Sequence, residues 1–319
     1  MRAFLLAAAL LLTGGQGPQD SLRVLFWNLE NFFDWRNDST SVSDAEFSFR
    51  GAKHWTRKRF YAKCNAAAKG ILWAGGQLGG APDVIGVAEV ENAFVLRRLA
   101  DATALSKLGY RVVHFDSPDR RGIDVGLLYR TERLRLVDKK PCAVWGPDSL
   151  RIPTRDILLA RFLPVRDGED VAVLVCHLPS KFGGAAASGP RRELAAARLR
   201  ELADSLQALG ITRILAMGDM NDTPDSPLLR QLEPTLESLA QPLWQQGLGT
   251  LRYDGRWELI DHFYRGGSAP TGPMRIFLIP FLTVPDKKHG GLKPLRTYAG
   301  PRYLGGVSDH CPIGICVPW

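Results

Sequence analysis

The chain has 319 residues, 45% of them hydrophobic and 23% charged, with 32 glycines and 21 prolines scattered along it. That composition excludes a disordered or fibrous chain and supplies ample material for a hydrophobic core. The formal net charge of +8 favours anionic partners such as nucleic acid or phosphorylated ligands.

Arg2 precedes an apolar run over residues 3–12, which gives way to the small and polar stretch TGGQGPQD. A positive start, a short apolar segment and then small residues is the layout of a secretory signal peptide. A buried first helix would instead show polar positions at helical period, and ten apolar residues are too few to anchor a chain in a bilayer. The sequence thus predicts a leader over residues 1–18 and one domain over 19–319, in a secreted or periplasmic protein with no stable membrane span. The five cysteines (Cys64, Cys142, Cys176, Cys311, Cys316) show no metal-finger spacing. Their odd number leaves at least one free thiol, and no bridge is predicted.

LRVLFWNL at 22–29 reads as a buried strand, and TRKRFYAKCNAAAKGILWA as an amphipathic helix with Phe60, Cys64, Ala67 and Ile71 on one side. PDVIGVAEV is a buried strand, and Asn92 caps the helix that follows. YRVVHF and DVGLLYR form a pair around the charged loop DSPDRRGI, and RDILLARFLPV and DVAVLVCHL form another. A helix is predicted over 191–209, then RILAMGDMND and the late strands ELIDHFY, MRIFLIPFLTV and CPIGICV. Strands in pairs separated by helices predict mixed or antiparallel sheets covered by helices, an α/β fold with no linker marking a second domain.

The strand ends carry the chemistry. Asn28 and Glu30, Glu89, His177, Asp219 and Asn221, Asp261, and Asp309 with His310 all sit at or just after apolar runs. Each alone has a structural explanation, as a turn amide, a strand-edge charge, a core histidine or a helix cap. Strands ending repeatedly in such groups would gather them at one sheet edge, and clustered carboxylates relax by binding a cation. Oxygen donors favour Mg²⁺, Mn²⁺ or Ca²⁺ over zinc.

FWNLENFFD, PDVIGVAEVEN, SPDRRGIDVGLLY, CHLPSKFGG, AMGDMNDTP, ELIDHF and YLGGVSDHCP occur in this order along the chain, with KHWTRKRF in the early helix. Together they resemble the endonuclease/exonuclease/phosphatase superfamily, the DNase I-like phosphodiesterases, and its secreted or periplasmic bacterial branch in particular. The resemblance implies a four-layer α/β/β/α sandwich, two mixed sheets face to face with helices outside, and a Mg²⁺-dependent hydrolase with its site at one end. It implies Glu89, Asn28 and Asp309 as metal-side residues and Asp219 as the group that orients or deprotonates water or binds a second metal. Asn221 would hold a phosphate oxygen, His310 would be the catalytic histidine with Asp261 as its acid, and His177 a second donor. Asp116 and Asp124 are the candidate acid partners of His177, and Lys181 and Arg191 the candidate phosphate contacts. Nucleic acid is the leading substrate; a phosphomonoesterase or sphingomyelinase uses the same constellation, and a binding protein without activity is disfavoured because every expected position is filled.

Overall fold

The structure, a computed structural model, describes residues 21–36, 38, 41–166, 168–181 and 184–319. The leader expected over 1–18 lies outside the described residues. Strand β1 (Ser21–Phe32) leads through α1 (Val42–Glu46) into the long helix α2 (Arg57–Gln77). Strand β2 (Val84–Val90), helix α3 (Ala93–Asp101) and the hairpin of β3 (Tyr110–His114) and β4 (Asp124–Arg130) follow. Then come β5 (Leu134–Cys142), β6 (Ile157–Pro164), β7 (Val171–His177), helix α4 (Ala185–Ala208) and β8 (Arg213–Asp219). Short α5 (Pro227–Arg230), β9 (Leu236–Ser238) and α6 (Gln241–Gln245) precede the hairpin of β10 (Leu251–Tyr253) and β11 (Arg256–Glu258). The chain ends through β12 (Asp261–Gly266), β13 (Arg275–Ile276), the ribbons β14 (Thr283–Pro285)/β15 (Leu292–Pro294) and β16 (Tyr298–Ala299)/β17 (Arg302–Tyr303), and β18 (Ile313–Pro318).

Two six-stranded mixed sheets result, in the orders β13-β18-β1-β2-β4-β3 and β5-β6-β7-β8-β12-β9. Each has one parallel pair near its centre, β1/β2 and β7/β8, and is otherwise antiparallel. Alternation along β1 explains the layering, because successive side chains face opposite sides of a sheet. Val24 and Phe26 enter the core between the sheets with Leu158, Phe162 and Val173. Leu25, Trp27 and Leu29 face the other way, onto α2 through Phe60, Cys64 and Ile71. A third cluster packs α4 through Ala196, Leu199 and Ala203 onto Leu174 and Ala216 of the second sheet. Three apolar interfaces make four layers, as the family resemblance implies.

Thr56 caps α2 by accepting from Arg59 N, and Asn92 caps α3 as expected. Three segments differ from their local reading. Strand β5 lacks an apolar signature because it is a sheet-edge strand with Lys139 and Lys140 exposed. MRIFLIPFLTV gives two strand residues and then a 3₁₀ turn at Pro280–Leu282, since proline cannot donate to a ladder. Helix α4 starts at Ala185, well before 191, and carries Pro190 inside it, where Gly189-Pro190 reads locally as a break. All five cysteines are free, four of them buried. No helix among the described residues is long and apolar enough to cross a membrane.

Candidate active site

Strand register assembles half of the site. His177, the last residue of β7, is the Cα partner of Asp219 at the end of β8, and Asp219 in turn is the partner of Asp261 at the start of β12. Three polar groups therefore stand side by side across the second sheet, where neighbouring strands run about 4.8 Å apart. Gly218 allows the approach: a Cβ there would sit 2.1 Å from the Cys176 carbonyl. The glycine thus serves close packing of β8 against β7, and the exit turn is made by Asn221 at φ +51°. Met220 is buried against Cys176.

The first sheet supplies the other half. Asn28 Nδ2 donates to Asp219 Oδ2 at 3.0 Å, which ties the ends of β1 and β8 across the sandwich. Glu89 occupies the register shift between β2 and β4 at φ +59°, and Glu30 and Asn31 also have positive φ. Such conformations cost about 1–3 kcal/mol each and persist where the surroundings over-determine them. Here hydrogen bonds do so: Glu30 N donates to Asn28 Oδ1 at 2.9 Å and Asn31 N to Glu89 Oε2 at 2.8 Å. Beneath them the buried Lys63 ammonium donates to the Glu30 carbonyl at 2.6 Å.

His310 lies between Asp261 and Asp309. Its Nδ1 meets Asp261 Oδ2 at 2.8 Å, its backbone N–H donates to Ser308 Oγ at 2.9 Å, and its carbonyl accepts from Trp27 Nε1. Burial disfavours the imidazolium, but Asp261, Asp219 and Asp309 outweigh it and hold His310 protonated well above its ordinary range. Asp219 is pushed up to about 7 by burial and by the Asp261 charge, against the lowering effects of His310, Asn221 N–H and Asn28. His177 behaves oppositely. Burial and then the positive charges of Arg155, Arg121 and His310 keep it neutral, its Nε2 standing 3.6 Å from Asp219 Oδ2. Its Nδ1 and Asp261 Oδ1 are buried with no hydrogen-bond partner among the described residues.

The donor set fits a hard divalent cation. Asp219, Asp261 and His310 lie close enough to share one, although the charge that these aspartates hold on His310 leaves its ring no lone pair to give. Glu89, Asp309 and Asn28 are the remaining oxygen donors, and Glu30 joins them. Arg121 spans Glu89 at 3.2 and 3.4 Å, and Arg296 bridges Glu30 at 2.6 Å and Asp309 at 3.0 Å. Burial and the Asp309 charge push Glu30 up to about 7, while Arg296 and Lys63 oppose. Burial also acts to raise Glu89, but Arg121, the Asn31 N–H and His310 bring it below the usual carboxylate range. Glu89, Glu30 and Asp309 are each paired with an arginine, and oxygen donors of this kind are the ligands that Mg²⁺ or Ca²⁺ takes.

Some expected partners lie elsewhere. Asp116 and Asp124 flank His114, not His177, because β3 and β4 bring them to His114 at the opposite side of their loop. Arg191 is exposed; its neighbour Arg192 is buried and 3.8 Å from Asp222, since one residue along a helix turns the side chain by about 100°. Lys181 is at this end of the sheet, paired with Asp222 at 2.8 Å. Asn221 donates through Nδ2 to the Leu178 carbonyl, and its backbone N–H caps Asp219 Oδ1. Local reading passed over Arg121, Arg155, Arg296 and Lys63. Arg155 is buried between Asp119 Oδ2 and the Leu178 carbonyl. In the basic loop that ends at Arg296, Lys288, Lys293 and Arg296 are paired with Asp254, Asp286 and the Glu30/Asp309 acids.

Known structures share this architecture. An endonuclease/exonuclease/phosphatase family protein from Bacteroides thetaiotaomicron is 18% identical, with a TM-score of 0.60 over 93% of this chain and 97% of that one. The human nocturnin catalytic domain with bound sulfate is 17% identical, with a TM-score of 0.57 over 93% of each chain. A Bacteroides thetaiotaomicron mannosyl-6-phosphatase is 16% identical, with a TM-score of 0.59 over 93% of this chain and all of the other (100%). No match was found among the curated proteins. The model of the Endonuclease/Exonuclease/phosphatase family matches residues 23–318, and the chain belongs to that family.

Proposed function

We propose that the protein is a metal-dependent phosphodiesterase that hydrolyses nucleic-acid phosphodiester bonds by in-line attack of water. One observation carries this reading: Asp219 stands beside two imidazoles in different charge states, neutral His177 and protonated His310. A phosphodiester needs its negative charge neutralised, its nucleophile deprotonated and its leaving alkoxide steadied. Asp219, poised near 7, accepts the proton of the attacking water. His310, held as imidazolium by Asp261, donates to a non-bridging phosphate oxygen and cannot serve as the base. His177 donates to the leaving oxygen, and Asn221 fixes the phosphate beside it. A divalent cation on Glu89, Asp309 and Asn28, with Glu30, would supply Lewis-acid neutralisation of the phosphoryl group, worth several kcal/mol.

The net charge of +8 favours a polyanionic substrate, and the sulfate bound to nocturnin supports an oxyanion site in this fold. The similarity to a mannosyl-6-phosphatase favours a second reading, a sugar phosphomonoesterase. A panel of plasmid DNA, RNA, a sugar phosphomonoester and sphingomyelin micelles, each with Mg²⁺ or EDTA, separates them. Mg²⁺-dependent nucleic-acid cleavage with none on the monoester is expected; full monoester activity without cleavage overturns the reading. Water as nucleophile predicts ¹⁸O in the phosphate product after a single turnover in ¹⁸O water. The layout of the first 18 residues supports export, which N-terminal sequencing of protein from the culture medium or periplasm tests; a retained Met1 sinks it.

A further inference from the structure

Where β1 and β2 end, a second group of acids gathers that the catalytic site does not use. Asp34 and Asp38 follow β1, Asp44 lies in α1, and Glu91 follows β2. Glu89 is held by Asn31 and Arg121. Glu91, two residues on, is held by different partners. Its Oε2 accepts from Asp34 N at 2.7 Å, and its backbone N–H donates to the Phe32 carbonyl at 3.1 Å. These two bonds pin Glu91 to the segment that leaves β1. Glu91 is 7% exposed and Asp44 fully buried, while Asp38 is exposed. One carboxylate oxygen from each of Asp38, Asp44 and Glu91 lies within 4.8 Å of the other two.

Glu91 Oε1 is buried with no hydrogen-bond partner among the described residues, although Oε2 beside it is satisfied by the Asp34 N–H. A buried acceptor left without a donor is costly, more so when it is charged, and neighbouring carboxylates add repulsion. Arg36 is the cation beside the group, yet its hydrogen bonds go to Asp34. Its backbone N–H donates to Oδ1 at 2.6 Å, and its Nε and Nη2 donate to Oδ2 at 3.3 and 2.9 Å. The group therefore holds a deeply buried acid with one oxygen fixed and the other unpartnered.

A single hard cation satisfies that oxygen and offsets the repulsion. Two oxygens on opposite sides of Ca²⁺, at 2.3–2.6 Å each, lie at most about 4.6–5.2 Å apart, so a spread within 4.8 Å fits one ion. Every donor is a carboxylate oxygen, with no imidazole or thiolate to favour zinc. Exposed Asp38 places the group at the surface, where water completes the six to eight ligands that Ca²⁺ takes in flexible geometry; Mg²⁺ demands a near-ideal octahedron.

We propose that Asp38, Asp44 and Glu91 form a Ca²⁺ site distinct from the catalytic centre. The ion ties the segment between β1 and α1 to the end of β2. Ser41, the N-cap of α1, donates to the Arg121 carbonyl at 3.1 Å, and Arg121 in turn pairs with Glu89. The ion thus steadies the frame beside the catalytic end and takes no part in the reaction.

The test titrates the metal-stripped full chain with Ca²⁺ by calorimetry in excess Mg²⁺, and with Tb³⁺ as a luminescent stand-in excited through tryptophan, Trp35 being the residue after Asp34. One Ca²⁺ equivalent is expected with a Kd at or below about 1 mM, a raised Tm and Tb³⁺ emission that Ca²⁺ displaces. All three should persist in Asp309→Asn. Asp38→Asn and Glu91→Gln should each weaken Ca²⁺ binding by about tenfold or more, because the number of ligand charges sets affinity. If Glu91→Gln does not fold, Asp38→Asn decides, since that residue is exposed. No Ca²⁺ equivalent in excess Mg²⁺, wild-type affinity in Asp38→Asn, or loss of the equivalent in Asp309→Asn overturns the proposal.

Discussion

Asp219–Asp261–His310 and His114–Asp116–Asp124 contain the same residues, one histidine and two aspartates, and do opposite things with them. In the first, a 2.8 Å hydrogen bond and three nearby carboxylates hold the ring protonated well above its ordinary range. In the second, gaps of 3.6 and 3.7 Å leave burial in charge, and the ring is driven down to about 4. Composition predicts neither outcome. What decides is whether the carboxylate reaches the nitrogen, because a direct hydrogen bond to the charged form offsets desolvation and a gap of less than an ångström more does not. A charged imidazole suits donation to an anion; a neutral one suits a cation.

Breaking the first cluster gives the largest effects. His310→Ala removes the donor and leaves Asp261 buried without its partner, and kcat/KM on the true substrate should fall by about 10²–10⁴-fold. Wild-type turnover in this variant would remove His310 from the site. Asp219→Asn should cost a similar factor and abolish the rise of kcat with pH through about 7; a retained rise would assign the base elsewhere. Asp261→Asn keeps the shape and removes the charge, so it should convert His310 toward the behaviour of His114. A loss of about 10²-fold is expected, with the imidazole titrating near neutrality by NMR; an unchanged His310 resonance above pH 8 would contradict the electrostatic account.

Stability follows the same contrast with the sign worked through. His310 has a raised folded pKa, so its contribution is complete below the unfolded value of about 6.5 and is lost as pH rises through the folded value. His114 and His177 have lowered values, so their burial costs stability at acid pH and ceases to do so above about 6.5. Above neutrality only the His310 effect remains among these three. The Tm advantage of wild type over His310→Ala, measured in EDTA, should therefore shrink from pH 7 toward pH 10; an advantage that grows would reverse the assignment.

The sequence was most legible where local pattern and register coincide. Asn28, His177, Asp219 and Asp261 end or begin apolar runs, and strand pairing alone then sets His177, Asp219 and Asp261 side by side. The four layers came from the resemblance of the motifs, not from local pattern; the structure shows their basis in β1, which alternates between two cores. Arg121, Arg155 and Arg296 were not, because a surface-type residue in a loop carries no periodicity and its burial depends on which acid the fold brings to it. The same blindness assigned Asp116 and Asp124 to His177: sequence shows that a loop holds acids, not which histidine lies across the hairpin. Of the adjacent arginines on α4 it is Arg192 that turns inward to Asp222, which sequence does not show, and β5 lacked the apolar alternation that marks a covered strand.

The smallest effect is the most discriminating for the comparison. Asp116 is exposed and far less constrained than Asp261, so Asp116→Asn should change kcat/KM in Mg²⁺ by less than about twofold and Tm by little, as expected of surface substitutions. A drop in the Mg²⁺-supported rate of Asp116→Asn comparable to that of Asp261→Asn would mean that the two clusters do the same work after all. In that case His114 would be part of the catalytic apparatus, and distance to the nearest carboxylate would not be what separates the two histidines.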